Sequence, residues 1–297
     1  MTQLNRKLNC MKWLLEQSRK WLTKSSVQAF CLDFLLIQIG SHMHSAPVSR
    51  GSFVTRANEF RCETLPDEST LCLDANTSVR YRISGTTRNI EGESGRFSVV
   101  VQNDRRPFDV MVGNRLLLHD SGTGFVVDIQ PDGSSRITVT DGRVRILAPV
   151  SSDVRSQFQR GERQSAWKAA PEFSKYAQIE FDPAGNPRDA LPDLSDQQLS
   201  ALRAFEVGLI ALDDQTVSQF LRELRRYHRD LPKFKCSPAT GAIHLSGFIQ
   251  FNAPLPGTLE YLKSFNHIRY ADSGSGSKKV ITLTGPSDKV GDTQPAC

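Results

Sequence analysis

With 297 residues, 38% hydrophobic and 23% charged, the chain can bury two modest cores and is neither fibrous nor of low complexity. The net charge of +5 is spread along its length. The densest basic cluster, Arg222, Arg225, Arg226 and Arg229, has no interleaved aromatic platform, so it reads as a solvated helix face and argues against a nucleic-acid groove. Six cysteines (Cys10, Cys31, Cys62, Cys72, Cys236 and Cys297) lack the paired short spacings of a zinc site.

Residues 1–50 form a basic segment carrying Arg6, Lys7, Lys12, Arg19, Lys20 and Lys24, followed by an apolar stretch at 27–39. That stretch contains Gln28, Asp33 and Gln38 and is short of the roughly 20 apolar residues a spanning helix needs. A degenerate membrane span, a signal-peptide core and an amphipathic helix all remain open for it.

Residues 51–148 predict continuous β structure. Short β-branched and apolar runs (Ser78–Ile83, Phe97–Val101, Phe108–Val112, Arg115–Leu118, Phe125–Ile129, Ile137–Thr140 and Val144–Leu147) alternate with turn signals such as Gly95, Asp132-Gly133 and Asp141-Gly142. That spacing, without a helical period, predicts an all-β sandwich or barrel-like domain. Around Pro66-Asp67-Glu68-Ser69 a three-residue hairpin loop would put Cys62 opposite Cys72. That register is compatible with a disulfide, any other separates the pair, and free thiols are the expected state.

Residues 149–195, interrupted by Pro171, Pro183, Pro187 and Pro192, read as an extended connection with one or two strands. Residues 196–285 predict a smaller α/β domain of the βαβ type. Ser195 caps a helix over Asp196–Phe205, Gly208–Leu212 is a strand, and Asp213 or Asp214 caps the next helix. Along Thr216–His228, Val217, Phe220, Leu221 and Leu224 share one buried stripe while Arg222, Arg225 and Arg226 face outward. A strand over Ile243–Phe251 with a bulge at Gly247, a helix burying Leu259, Leu262 and Phe265, and a strand at Val280–Leu283 follow. Ser273–Ser277 is a hairpin tip, and residues 286–297 are a loose tail.

No group of side chains converges for a reaction. The histidines are isolated apart from His42-x-His44. Asp120-Ser121-Gly122-Thr123-Gly124 lacks both the lysine and the following helix of a phosphate loop. The expectation is a binding protein, with no enzyme activity, no metal, no cofactor and no small-molecule substrate.

The run Leu65-Pro66-Asp67-Glu68-Ser69-Thr70-Leu71-Cys72-Leu73-Asp74-Ala75-Asn76-Thr77 resembles the "LPDGS-x-V-x-L-x-A-N-S" hairpin of the FecR family. Arg88, then Glu91–Phe97, Asn103–Val110 ("D-x-x-R-P-F-x-V"), Ser121–Val127 ("LGT-x-F-x-V") and Asp141-Gly142-Arg143-Val144 ("EGRV") follow in the family's order. Further on, Gly208–Asp214, Phe220–Tyr227 and His244–Ile249 are similar to its carboxy-terminal motifs. Glu68 stands where the family has a turn glycine, and Gly95-Arg96 depart from its Gly-Glu-Ala-x-Phe strand, which predicts looser packing there.

The resemblance implies an inner-membrane, single-pass protein with residues 51–297 in the periplasm; a soluble periplasmic protein is the alternative. It implies signal relay from a TonB-dependent outer-membrane receptor of ferric siderophore or haem uptake to an ECF sigma factor. The alternative function is an envelope-binding β module with no sigma-factor role. The family's cytoplasmic sigma-binding domain is matched here only by a short amino-terminal segment. The contact unit for the receptor's signalling domain would be residues 208–270, with Leu221, Leu224, Tyr227 and Phe248 as candidate partner-binding residues.

Overall fold

The computed structural model describes residues 48–113, 115–119, 122–160, 170–188, 191–228, 230–276, 279–288 and 295–297, all within one compact unit, Val48–Cys297. The basic segment, its apolar stretch 27–39, the His42-x-His44 pair and Arg229 lie outside the described residues.

The first half carries β1 (Ser49–Val54), β2 (Arg61–Thr64), β3 (Thr70–Leu73), β4 (Ser78–Ile83), β5 (Arg88–Val100), β6 (Phe108–Val112), β7 (Arg115–His119), β8 (Gly124–Ile129), β9 (Ser135–Asp141) and β10 (Arg143–Leu147). Helix α1 (Ser152–Arg160) and the short strands β11 (Glu172–Ser174) and β12 (Gln178–Phe181) complete it. One sheet runs β1-β4-β5-β6-β7-β10-β11 and the other β2-β3-β5-β8-β9-β12. All neighbours are antiparallel except β5 and β6. The 13-residue β5 belongs to both sheets: Arg88–Gly92 pair with β4 and β6, and Gly95–Val100 pair with β3 and β8.

Strand side chains alternate between faces, so every second residue of both sheets points into one core. Leu71 and Leu73, Phe97 and Val99, Phe125 and Val127, and Ile137 and Val139 meet Val79, Ile90, Phe108, Val110, Val144 and Ile146 there. The expected sandwich is thus present, and residues 149–195 carry two short strands, as expected, which join its sheets.

β5 changes sheets at Gly95, whose φ is +80°. A Cβ there would stand 2.3 Å from Thr77 Oγ1, so this position requires glycine. Packing is not loosened beside it, since Phe97 is fully buried. Glu68 does take the turn glycine's left-handed conformation, with φ +67°.

The second half carries α2 (Asp196–Leu202), a 3-10 turn (Ala204–Val207), β13 (Leu209–Thr216), α3 (Val217–Tyr227), β14 (Lys233–Cys236), α4 (Pro238–Gly241), β15 (His244–Gln250), α5 (Leu255–Asn266), β16 (Arg269–Ser273) and β17 (Val280–Thr284). Strands β13 and β15 form one antiparallel ribbon, and β14-β17-β16 a second sheet with β14 parallel to β17. Ile210, Leu212, Phe220, Leu221, Leu224, Leu259 and Leu262 fill the core between them.

Several local expectations are corrected. Helix α3 is capped by Thr216, in a capping box with Gln219, and not by Asp213 or Asp214. The ribbon's bulge falls at Asp214 (φ +56°), between Asp213 and Gln215, and not at Gly247. Phe265 is 74% exposed because it is six residues, about 120° of helix, away from Leu259. Residues 295–297 are not loose: Ala296 bridges Lys235, and Cys297 forms a disulfide with Cys236. Cys62 and Cys72 face each other across β2 and β3 and are also joined by a disulfide.

Candidate functional site

The family-like motifs of the β half converge on a polar knot, not on a surface site. Asp67, in the β2–β3 turn, accepts from Arg88 Nη1 at 3.0 Å and from Ser69 Oγ at 2.7 Å, and both Asp67 and Arg88 side chains are almost fully buried. The same guanidinium donates to the carbonyls of Gln102 and Arg106 and lies over the Phe108 ring. A buried arginine needs acceptors, here supplied to its two terminal nitrogens, which explains why turn, strand and Asp-x-x-Arg-Pro-Phe segments occur together. Next to it, Asp104 accepts from the backbone and side chain of Arg106, which lowers its carboxyl to about 2.

A second, larger charged cluster lies where the β half meets the α/β half. Helix α3 has three faces. Val217, Phe220, Leu221 and Leu224 enter its own core, Arg222 and Arg225 face solvent, and Glu223, Arg226 and Tyr227 turn toward the β sandwich. Arg226 therefore does not face outward as the helical pattern predicts; its side chain is 18% exposed.

The partners come from β3, β5 and β8. Tyr227 Oη donates to Asp74 Oδ2 at 3.0 Å. Arg96 reaches Asp128 at 3.0 Å, Glu223 at 3.1 Å and Asp74 at 3.4 Å. Arg226 approaches Asp128 at 3.2 Å, and Asn76 Nδ2 donates 2.6 Å to the Arg226 carbonyl. Three carboxylates thus share two guanidinium groups. Burial pushes the Asp74 carboxyl up, and the Arg96 and Arg226 guanidinium groups oppose it without cancelling it. Burial also acts on Asp128, but there the two arginines prevail and hold the carboxyl low. The Tyr227 hydroxyl is pushed far above its ordinary value, chiefly by burial, and stays a donor.

An apolar flank borders this cluster. Cys72, Val126, Leu202 and Phe205 pack together, and Phe60 stands edge-on to Phe251 at 5.2 Å. Of the four expected partner-binding residues, Leu221 and Leu224 are core residues at 1% exposure, and Tyr227 is buried in the junction. Phe248 alone of the four is open, at 60% exposure, on the outer face of the β13–β15 ribbon. The junction residues Asp74, Arg96 and Asp128 escape a reading by pattern. Their one signal is charge next to strongly apolar strand positions, as in Leu73-Asp74-Ala75 and Arg96-Phe97.

Among the described residues no group of three His, Cys, Asp or Glu side chains could hold a metal ion. A polar recess of about 160 Å³ beside Asp128 is lined by the Arg136–Glu180 ion pair, Ser134 and Arg188.

The family model described as FecR protein matches residues 52–145. Two crystal structures of a candidate anti-sigma factor from Parabacteroides distasonis ATCC 8503 share the fold, with TM-scores of 0.52 and 0.53 and 20% identity. Each alignment covers 80% of this chain and 100% of the other. No curated protein matches the sequence. Residues 52–145, the part of the sandwich that carries the Asp67–Arg88 knot and one side of the charged junction, match the FecR domain.

Proposed function

We propose that the chain is a signal-relay protein of the cell envelope that governs an ECF sigma factor in response to a TonB-dependent outer-membrane receptor of ferric siderophore or haem uptake. It works by binding and carries out no reaction. The observation that carries this reading is the FecR domain, joined through a buried ion-pair cluster to an α/β unit whose outer ribbon leaves Phe248 exposed. Such a junction suits a relay, because ion pairs tie helix α3 of the α/β unit directly to strands of the sandwich. The two disulfides support an oxidising compartment, as the periplasm is. Among the described residues no helix is long and apolar enough to cross a membrane.

Receptor contact is assigned to the outer face of β13 and β15 around Phe248, with Leu221, Leu224 and Tyr227 holding that face in place from within. The test is a sigma-dependent reporter in cells carrying the receptor. Phe248→Asp should abolish induction with the protein still folded, and Leu221→Asp should abolish it by collapsing the unit. Normal induction with Leu221→Asp present at wild-type level would rule the reading out.

A further inference from the structure

Strand β2 is where the FecR domain grips the segment that opens the α/β unit. Phe60, just before it, packs on Phe251, and a Cβ added at Gly208 would stand 3.0 Å from the Phe60 ring. Cys62 Sγ lies 3.6 Å from the Glu206 carbonyl oxygen, and Cys72 behind it packs against Leu202 and Phe205.

Little else holds β2. It is an edge strand with four residue pairs to β3, and its own side chains are mostly exposed. Its far end is anchored at buried Leu65 and at the Asp67–Arg88 pair. At the near end Arg61 lies over the Phe53 ring, and upstream the Arg56 carbonyl accepts from the Asn76 amide. Between these anchors the Cys62–Cys72 bond ties the strand to the sheet, on the side that touches the α/β unit. Cys62 is exposed, so a thiolate can reach its sulfur, whereas Cys72 is 6% exposed. The second disulfide, Cys236–Cys297, joins β14 to the carboxy terminus, and neither cysteine is among the junction's packing residues.

We infer that Cys62–Cys72 is a redox-modification site that sets how firmly the α/β unit docks on the FecR domain. The reductant is a dithiol. One of its thiolates attacks Cys62 Sγ, forming a mixed disulfide and releasing Cys72 as a thiolate. The second dithiol sulfur then attacks the mixed disulfide, closing the reductant's own S–S bond and releasing Cys62. Two electrons pass to the protein, and the two cysteines take up the protons the dithiol loses. Reduction frees β2 and loosens the Phe60–Glu206 side, while the ion pairs of Arg96 and Arg226 keep the other side closed. This holds whichever partner the α/β unit serves.

Hydrogen–deuterium exchange on the full chain, with dithiothreitol as the dithiol, tests it. Reduction should raise exchange by about tenfold or more in residues 58–64 and 203–209 and leave β6 and β9 unchanged. C62S/C72S should reproduce this without reductant, and C236S/C297S should not. The inference is overturned if the bond resists dithiothreitol under native conditions, if those segments keep their protection on reduction, or if exchange rises equally through β6 and β9. Should C62S/C72S fail to fold, reduction of C236S/C297S decides alone.

Discussion

Replacing Arg96 by methionine keeps much of its length and removes the guanidinium that touches Asp74, Asp128 and Glu223 at once. Asp74 is fully buried and the Arg96 side chain is 16% exposed, so water cannot take over the lost contacts at Asp74. Three carboxylates would then face Arg226 alone. Breaking a buried pair by removing one partner costs about 3–5 kcal/mol, and R96M should lose that much in urea unfolding. D74N should behave differently. It mimics the protonated carboxyl that burial favours and can keep the contact with Tyr227, so its cost should stay near that of one neutral hydrogen bond, about 1 kcal/mol. In the double variant one stranded charge is gone, so the cost should be smaller than the sum by about 1 kcal/mol or more. Intrinsic fluorescence and backbone circular dichroism measured on the same samples should separate in R96M, as the two halves lose their shared transition. An R96M variant within about 0.5 kcal/mol of wild type, or a double variant that is strictly additive, would refute the claim that these charges lock the junction.

Leu224→Ala should cost about 2–5 kcal/mol, because the side chain is 1% exposed in the α/β core; urea midpoints would read it. Thr216→Ala should cost about 1 kcal/mol through the lost cap, and Asp213→Ala within about 0.5 kcal/mol, by the same measurement. Acid should weaken the fold through Asp104 and Asp128, whose folded-state values lie below the ordinary carboxylate value of about 3.9. Their contribution is complete above about pH 4, and the Asp104 share is lost as pH falls through about 2. Asp74, raised, acts in the opposite sense: it favours the fold as pH falls through its folded value, so D74N should steepen the acid decline in urea midpoints.

The sandwich was legible because its turns carry their own chemistry: Ser78–Ile83 and Phe108–Val112 lie between turn signals and appear with those bounds. Only a three-residue loop at Pro66–Ser69 would put Cys62 opposite Cys72, and the sequence favours free thiols there, whereas the pair is joined by a disulfide. Helix α1 escaped notice because Phe158 is its one fully buried residue, too little to make a stripe. β16 escaped for a similar reason: all five of its residues are exposed, so it shows no alternation. The junction was out of reach for another cause. Arg96 meets Glu223 across 127 residues of chain and Asp74 meets Tyr227 across 153, and no local pattern reports which charges will be covered by a distant helix.

Because β5 serves two sheets, its reading frame matters more than its composition. Adding or deleting one residue between Arg88 and Val100 would turn Ile90 out of one layer, or Phe97 and Val99 out of the other, and swing Arg96 away from the helix it meets. The length of that one strand is therefore fixed by both layers at once.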